Sequence, residues 1–284
     1  MKILFTSEDR VRPDSTGVYF RRAFEETLGK DNVLFMYNED LHKAPSGLDL
    51  YVKVDDGLST HRFPDHLHPS CYYIIDTHID YKWRYELAGE AKFDKLYFAQ
   101  NEGLKQEWHT KDKLWVPLAA DRDMHYVGKR EKKYDTCFVG YFHSQHAEKR
   151  IDYVHELFKH TSNFYFSQGT RFFKDMTTKL AETRLVFNKS LNDDINMRFF
   201  ESMCSGSALL SDYIQDARLL GFRQDIDYIG YQNIDEMKDK ATFYLKHPEL
   251  REDIAESGKR FVHFNHLYKH RVAQILDSCL SGVK

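Results

Sequence analysis

The sequence predicts an α/β protein made of two domains, each a parallel sheet covered by helices on both faces. Short apolar strands alternate with amphipathic helices along the chain, which is typical of parallel sheets. A charged run over residues 119–134 has no apolar periodicity, as expected of an exposed connection. The length of 284 residues suits two domains of ordinary size, each with its own core. We therefore expect an N-terminal domain at 1–125 and a C-terminal domain at 126–284.

The first domain is expected to begin with a strand at residues 2–7. A polar loop then leads to a helix from about Thr16, which carries Phe20, Phe24 and Leu28 on its inner stripe and ends at Gly29. Further strands are expected at residues 32–37, 49–55, 71–77, 95–101 and 114–118. This alternation predicts one Rossmann-like unit.

The second domain repeats the alternation. In chain order we expect a strand at 136–140, a helix at 147–160, a strand at 163–167, a helix at 172–183, a strand at 185–188, a helix carrying Glu201 and a strand at 207–211. Three helices are expected to finish the chain.

Composition and charge exclude several classes of protein. Charged residues make up 30% of the chain and hydrophobic residues 42%, as in globular proteins, and no apolar run is long enough to span a membrane. The net charge is −5 up to residue 125 and +2 beyond it. A slightly basic second half suits a nucleotide diphosphate, whereas the acidic first half does not favour nucleic acid as a partner.

The beginning of the chain and its cysteines predict a cytoplasmic protein. No charged leader with an apolar segment and a cleavage site precedes the first strand, so a signal peptide is not expected. The four cysteines lie far apart among apolar neighbours, without the paired spacing of a zinc site or a redox dithiol. We expect them to be reduced thiols.

The most informative stretch is residues 193–212, which joins a polar loop, a helix and a buried strand. The helix is expected to begin near Asn196 and to stop at Gly206. Asp193 lies in the loop before the helix, and Glu201 lies on its middle turn. The first amides of such a helix carry the positive end of its dipole, which suits a diphosphate, and a carboxylate further along can accept hydrogen bonds from two ribose hydroxyls. The stretch therefore predicts a site for a nucleotide diphosphate sugar.

Several motifs in this half of the chain resemble one family. They are Phe138-Val139-Gly140, Arg150, the run Ile195-Asn196-Met197-Arg198-x-x-Glu201, and the closing His266-Leu267-Tyr268-Lys269-His270-Arg271. In this order they resemble the CgeB-like branch of the group 1 glycosyltransferases. The resemblance implies a GT-B fold, in which two Rossmann-like domains face each other across a cleft and the last helix, here 266–280, returns to the first domain. One departure is Asp193, because a glutamate usually holds this place in the wider group.

The resemblance implies that the second domain binds the donor. The residues that it assigns to donor binding are Gly140, Gly169, Arg171, Asp193, Asp194, Ile195, Asn196, Arg198 and Glu201. It places the nucleotide base at the loop 167–171, for which an ordinary turn is the alternative. It also implies that amides and basic side chains such as Arg150, rather than a metal ion, neutralise the leaving diphosphate. The expected donor is a UDP-, GDP- or dTDP-sugar, and no permanently bound cofactor is expected.

The residues of this donor site each have a second interpretation. Glu201 could be a solvent-facing carboxylate paired with Arg198 one turn earlier. Arg198 could orient Glu201 or reach a phosphate. Asp193 and Asp194 could cap the helix, and Arg150 could be an ordinary surface arginine.

In the first domain the candidates lie where strands end, because open parallel sheets bind ligands at that edge. His78 resembles the histidine that glycosyltransferases of this group place beside the transferred sugar, with a histidine bonded to backbone as the alternative. Asp76 could be a general base or could close a turn. We predict that these two residues and Arg150 are catalytic. The acceptor-side candidates, for which a helix cap or a turn is the alternative, are Asp14, Ser15, Gly17, Asp55 and Asp56.

The expected function is metal-independent transfer of a sugar from a nucleotide diphosphate sugar to an acceptor hydroxyl in the cleft. The acceptor could belong to a glycan, a protein or a small molecule, and the stereochemistry stays open. Two alternatives remain. One is a glycosyltransferase that modifies a base in DNA, and the other is a non-catalytic GT-B scaffold of spore coat or envelope assembly.

Overall fold

The computed structural model describes residues 1–10, 13–55, 57, 62–78, 80–140, 142, 148–168 and 172–280. The chain divides into two units. The first contains residues 1–118 together with the chain from Tyr268 onward, and the second contains Ala119–Leu267. Within the described ranges, no helix is both long enough and apolar enough to cross a membrane.

A six-stranded parallel sheet forms the centre of the first unit. Its strands are β1 (Ile3–Thr6), β2 (Val33–Met36), β3 (Leu50–Val54), β4 (Ser70–Ile74), β5 (Lys95–Phe98) and β6 (Lys113–Trp115). Helix α1 (Thr16–Leu28) follows β1, and helix α2 (Lys82–Ala91) follows β4. The order across the sheet is β2-β1-β3-β4-β5-β6, so the winding direction changes between β1 and β3. The predicted parallel α/β arrangement is confirmed here.

A five-stranded parallel sheet forms the centre of the second unit. Its strands are β7 (Tyr134–Val139), β8 (Phe164–Ser167), β9 (Thr183–Asn188), β10 (Ala208–Asp212) and β11 (Ile229–Tyr231). The helices of this unit are α3 (Arg122–His125), α4 (Glu148–His160), α5 (Phe173–Ala181), α6 (Met197–Cys204), α7 (Gln215–Leu219), α8 (Ile234–Lys246) and α9 (Pro248–Asn265). The strand order is β11-β10-β9-β7-β8. The winding direction therefore changes between β7 and β9, and ligands of such sheets bind at the carboxyl ends of those two strands.

Helix α6 packs against α9 at a glycine. A Cβ atom on Gly258 of α9 would lie 2.2 Å from the carbonyl oxygen of Asp227 and 3.0 Å from the sulfur of Met203 on α6. Real Cβ atoms do not approach other atoms so closely, and glycine is therefore required at this crossing. The position of α6 depends on that contact.

The last helix, α10 (Tyr268–Leu280), belongs to the first unit. The ring of Tyr268 stacks on Tyr19 of α1 with centroids 5.3 Å apart and meets Phe20 edge-on at 5.0 Å. The buried guanidinium of Arg271 donates to the carbonyl oxygen of Pro117 at 2.8 Å. These contacts confirm the predicted return of the last helix to the first domain.

Candidate functional site

The candidate donor site lies at the carboxyl edge of the second sheet, where β7, β9 and β10 end. Gly140 follows β7, and its N–H donates to the carbonyl oxygen of Ser167 at 3.0 Å. Asn188 ends β9, and the chain then crosses the loop 189–196 to reach α6. Because α6 follows a strand at the change of winding direction, its amino end faces the edge where ligands of doubly wound sheets bind.

The loop 189–196 is fixed to the sheet by Asp212, the last residue of β10. The two carboxylate oxygens of Asp212 accept from the Lys189 ammonium at 2.7 Å and from the backbone N–H of Ser190 at 2.9 Å. Arg150 of α4 adds a second tie, since its Nε and Nη2 donate to the carbonyl oxygen of Lys189 at 3.0 and 2.7 Å. Two cations, Lys189 and Arg150, are therefore held at this edge.

Arg150 is half-buried rather than a fully exposed surface arginine. Burial lowers the pKa of Arg150, and the carboxylates of Asp194 and Asp212 oppose that change. An arginine stays protonated even so, because its reference pKa is far above neutrality. The guanidinium thus places a permanent positive charge beside the loop that precedes α6.

Asn196 caps α6. Its side-chain oxygen accepts the backbone N–H of Phe199 at 3.2 Å, and its amide donates to Asn188 at 3.1 Å. Neither predicted aspartate has this position: Asp193 adopts a left-handed backbone with φ of +55°, and Asp194 accepts the N–H of Asn192 at 3.3 Å. The alternative that these aspartates cap the helix is therefore not what the structure shows.

Ile195 is buried with no exposed surface, so its side chain packs inside the unit and only its backbone is left to face a ligand. Gly169, Arg171 and Asp56, three other predicted site residues, lie outside the described residues.

Glu201 is buried, with 5% of its side chain exposed. One carboxylate oxygen lies 2.8 Å from Nη1 of Arg198, and the other lies 3.4 Å from Nε2 of His125. The solvent-facing alternative for Glu201 is therefore not what the structure shows, although its predicted pairing with Arg198 is present. A carboxylate oxygen can accept two hydrogen bonds, so this arrangement leaves acceptor capacity for two hydroxyl groups.

Arg198 connects Glu201 to the end of β7. Its Nε donates to the carbonyl oxygen of Val139 at 3.2 Å, and its Nη1 lies 3.1 Å from the sulfur of Met176. The structure shows Arg198 paired with Glu201, and its two predicted roles, orientation of Glu201 and contact with a phosphate, both stay predictions.

His125 is the residue of this site that the sequence did not reveal. Its side chain is completely buried at the end of α3, in a stretch that reads as a charged connection. It lies far from Glu201 in sequence, and no spacing rule joins a four-residue helix to the middle of another helix. The only local signal for His125 was its position shortly after Asp121 and Asp123, two residues of a type that caps helices.

In the first unit, buried polar atoms without hydrogen-bond partners lie just after β4. Within the described part of the chain, the hydroxyl of Thr77 and both ring nitrogens of His78 are buried and have no hydrogen-bond partner. The alternative of a histidine bonded to backbone is therefore not observed for His78. A buried polar group without a partner costs about 1–3 kcal/mol, so such groups mark places where a ligand would supply the missing bonds.

Asp76, just before them, adopts a left-handed backbone with φ of +52°. Its N–H donates to the side chain of Gln100 at 2.8 Å, and its carbonyl oxygen accepts from Asp80 at 3.2 Å. The backbone of Asp76 thus closes a turn, as one of its two interpretations predicted, and a role as general base stays a prediction.

Three acceptor-side candidates lie around α1. Asp14 is buried, and Ser15 occupies the N-cap position of α1 without a side-chain capping bond; its hydroxyl is buried and has no partner among the described residues. Packing requires glycine at position 17, because a Cβ there would lie 2.4 Å from the side chain of Ser7. Ser7 directly follows β1, so these residues lie near the change of winding direction in the first sheet.

The carboxylate of Asp55, at the end of β3, already has partners inside the first unit. Its carboxylate accepts from Nε of Arg84 at 2.5 Å, and the two side chains are 1% and 3% exposed. Its other oxygen accepts the N–H of Gly57 at 2.8 Å. The position matches the prediction, but the carboxylate is held by an internal ion pair.

Among the residues described, no group of three or more histidine, cysteine, aspartate or glutamate side chains is arranged to hold a metal ion.

The whole chain is similar in structure to solved glycosyltransferases. Anabaena HepE, solved with UDP-glucose, is 11% identical over 99% of this chain and 100% of its own, with a TM-score of 0.66. An α-glucosyltransferase solved with UDP and a 13-mer DNA containing a HMU base is 9% identical over 99% of both chains, with a TM-score of 0.67. T4 phage BGT, solved with UDP and Mn²⁺, is 13% identical over 98% of this chain and 99% of its own, with a TM-score of 0.64. Identities this low establish the fold alone, and that fold is GT-B.

The family model for glycosyl transferase-like proteins matches residues 124–277, which is more than half of the chain, and the protein belongs to that family. The matched range contains His125, Arg150, Arg198 and Glu201. No curated protein matches the sequence.

Proposed function

We propose that the protein transfers a sugar from a nucleotide diphosphate sugar to an acceptor hydroxyl, and that the second unit holds the donor. The observation that carries this proposal is Glu201, a buried carboxylate with remaining acceptor capacity on the helix that follows β9, in a chain of a glycosyltransferase family. In this proposal Glu201 accepts hydrogen bonds from the ribose hydroxyls, and the loop 167–171 receives the base.

The diphosphate would lie at the amino end of α6. Arg150 and Lys189 supply fixed positive charge beside the loop, and the first amides of α6 supply partial positive charge. Because negative charge builds up on the departing diphosphate, donors fixed in advance stabilise the transition state more than the ground state. Asp193, Asp194 and Arg198 complete the proposed donor site.

The first unit would supply the acid–base groups. His78 and Asp76 follow β4, and the unpaired nitrogens of His78 are available to a hydroxyl group of the sugar or the acceptor. Asp14, Ser15 and Gly17 are proposed to contribute to acceptor binding. An acceptor placed beside the donor gains rate from proximity alone.

Metal independence is part of the proposal. It is supported by the basic side chains that surround the loop 189–196. The test is activity in EDTA: we expect it to be unchanged, and activity lost in EDTA and restored by Mn²⁺ would overturn this part.

The donor is tested with a panel of UDP-, GDP- and dTDP-sugars, by measuring the nucleoside diphosphate that is released without an acceptor. We expect slow release from at least one donor, with UDP-glucose tried first because HepE was solved with it. Glu201→Gln should lower kcat/KM by roughly ten- to hundredfold, since hydrogen bonds to a charged group contribute about 1.5–3 kcal/mol.

Glu182→Gln is the matched control. Glu182 is also a buried glutamate of the second unit, paired with Lys133 at 2.6 Å and Lys179 at 3.1 Å, but it lies at the amino end of β9. Its variant should keep wild-type release. No release from any donor and no thermal shift with any nucleotide would refute the enzyme and favour the scaffold.

A base in DNA is the second candidate acceptor. It is favoured by the likeness in fold to the α-glucosyltransferase that was solved with DNA. A salt-sensitive shift of duplex DNA in a gel, together with sugar transfer to a hydroxymethylated base, would support it. Transfer to glycans or proteins without DNA binding would exclude it.

Two finer assignments belong to the proposal. The order of the motifs from Phe138 to Arg271 supports the CgeB-like branch. Four cysteines without disulfide bonds, three of them buried, support a location in the cytoplasm.

A further inference from the structure

The contact between His125 and Glu201 is the least expected feature of the donor edge. Both side chains are buried, with 0% and 5% of their surface exposed, and Nε2 of His125 lies 3.4 Å from a carboxylate oxygen. A buried carboxylate is stabilised only if its oxygens have partners. Arg198 supplies one partner, and His125 supplies the other.

The hydrogen bond at Nδ1 of His125 determines which ring nitrogen carries the proton. Nδ1 of the ring accepts the backbone N–H of Asp121 at 3.0 Å. A ring nitrogen that accepts a hydrogen bond carries no proton, so the proton of the neutral ring is on Nε2. His125 therefore donates toward Glu201.

The short helix that carries His125 is fixed at both of its ends. The carboxylate of Asp121 accepts the N–H groups of Asp123 and Met124 at 2.9 and 3.2 Å. The hydroxyl of Thr177 on α5 donates to the carbonyl oxygen of Met124 at 2.8 Å. The position of the imidazole is therefore set by the backbone of α3 and not by Glu201.

On the basis of the proposed function, we infer that His125 is a positioning residue for donor binding. Nε2 of His125 lies 3.4 Å from one oxygen of Glu201 and Nη1 of Arg198 lies 2.8 Å from the other, and in this proposal the pair of contacts fixes the plane of the carboxylate. The remaining lone pairs then point in a fixed direction, toward the two hydroxyls of the donor ribose. Without His125 the carboxylate can rotate, and its preference for a ribose over a deoxyribose falls.

The test compares each nucleoside diphosphate with its 2′-deoxy form. Dissociation constants of UDP and 2′-deoxy-UDP are measured by calorimetry for the wild type, and GDP and ADP are measured in the same way. We expect the wild type to prefer the ribose form of its nucleotide by about tenfold or more, as one hydrogen bond to a carboxylate predicts. His125→Leu should reduce that preference to about twofold or less.

Two further variants separate positioning from damage to the fold. His125→Gln keeps a donor toward Glu201 and should restore most of the preference, with a donor KM near that of the wild type. Met237→Ala opens a cavity in the core of the second unit and lowers stability, but Met237 lies on α8 and has no role in the proposed donor site, so the preference should be unchanged. If His125→Leu is unstable, His125→Asn replaces it: its shorter side chain does not reach Glu201, so the preference should fall, and a retained preference would refute the role of His125.

The possible failures are distinguishable. A wild type that binds none of the nucleotides, or that shows no ribose preference, refutes the proposed role of the site. A ribose preference that Glu201→Gln abolishes and His125→Leu retains refutes only the role of His125. In the supporting outcome, His125→Leu raises the donor KM with little change in kcat, and His125→Gln reverses the rise.

Discussion

Replacing glycine by alanine should lower the free energy of unfolding at Gly258, where α6 crosses α9, and raise it at Gly89 of α2. In Gly258→Ala the new Cβ would lie 2.2 Å from the carbonyl oxygen of Asp227, where ordinary contacts begin at 3.4 Å. Backbone must therefore move by roughly 1 Å, and overpacking of this kind costs about 1–3 kcal/mol. Alanine returns only about 1 kcal/mol of helix propensity. We expect a net loss of up to about 2 kcal/mol.

Gly89→Ala is the matched control. Gly89 lies inside α2, and a Cβ there meets no atom within 4 Å. Only the gain in helix propensity remains, so this variant should be more stable by about 0.5–1 kcal/mol.

The assay is urea unfolding of the full chain, followed by circular dichroism at constant pH and temperature. The midpoint should fall for Gly258→Ala and rise for Gly89→Ala. Because Met203 lies on the helix that carries Glu201, the donor KM should also rise in Gly258→Ala. Equal midpoints for Gly258→Ala and the wild type would show that α9 shifts without a loss of free energy of unfolding. The close contact at Gly258 would then not determine the stability of the variant.

Three other outcomes are expected. Arg84→Met removes the partner of a buried carboxylate and should lower the free energy of unfolding by about 3–5 kcal/mol, measured in urea. The ring of His68 donates a hydrogen bond to the Asp94 carboxylate, and this bond raises the pKa of His68. The pair therefore stabilises the fold below pH 6.5, and the effect is lost as the pH rises. An unfolding midpoint whose pH slope is the same in His68→Asn as in the wild type would contradict this. A hydrogen bond from Cys71 lowers the pKa of Cys279 to about 7, so peptide mapping should find Cys279 alkylated fastest of the four thiols near pH 7, and equal rates would argue against it.

Much of the fold could be predicted from the sequence, because strand and helix periods are local properties. The helix that carries Glu201 and every strand of the two sheets except β11 were expected, and α10 was placed by motifs that span its start. The three-residue strand β11 was not predicted. The cap of α6 was predicted less well. Asn196, Asp193 and Asp194 are all good capping residues, and the structure separates them because Asn196 accepts the N–H of Phe199 in the first turn of α6.

The partners of the site residues could not be predicted, because they come from distant parts of the chain. Asp55 is paired with Arg84 and Glu201 with His125, and both pairs join segments with no common motif. Sequence periodicity reports which face of an element is apolar. It does not report which buried polar groups meet across elements.

The return of α10 to the first unit has a consequence during synthesis. The ring of Tyr268 must reach Tyr19, and the whole of Ala119–Leu267 separates the two parts of the first unit. On the ribosome, the second unit is complete before α10 leaves the exit tunnel, so it can fold while the first unit still lacks one helix. A nascent chain stalled before Tyr268 should therefore show a protease-resistant second unit beside an unfinished first one.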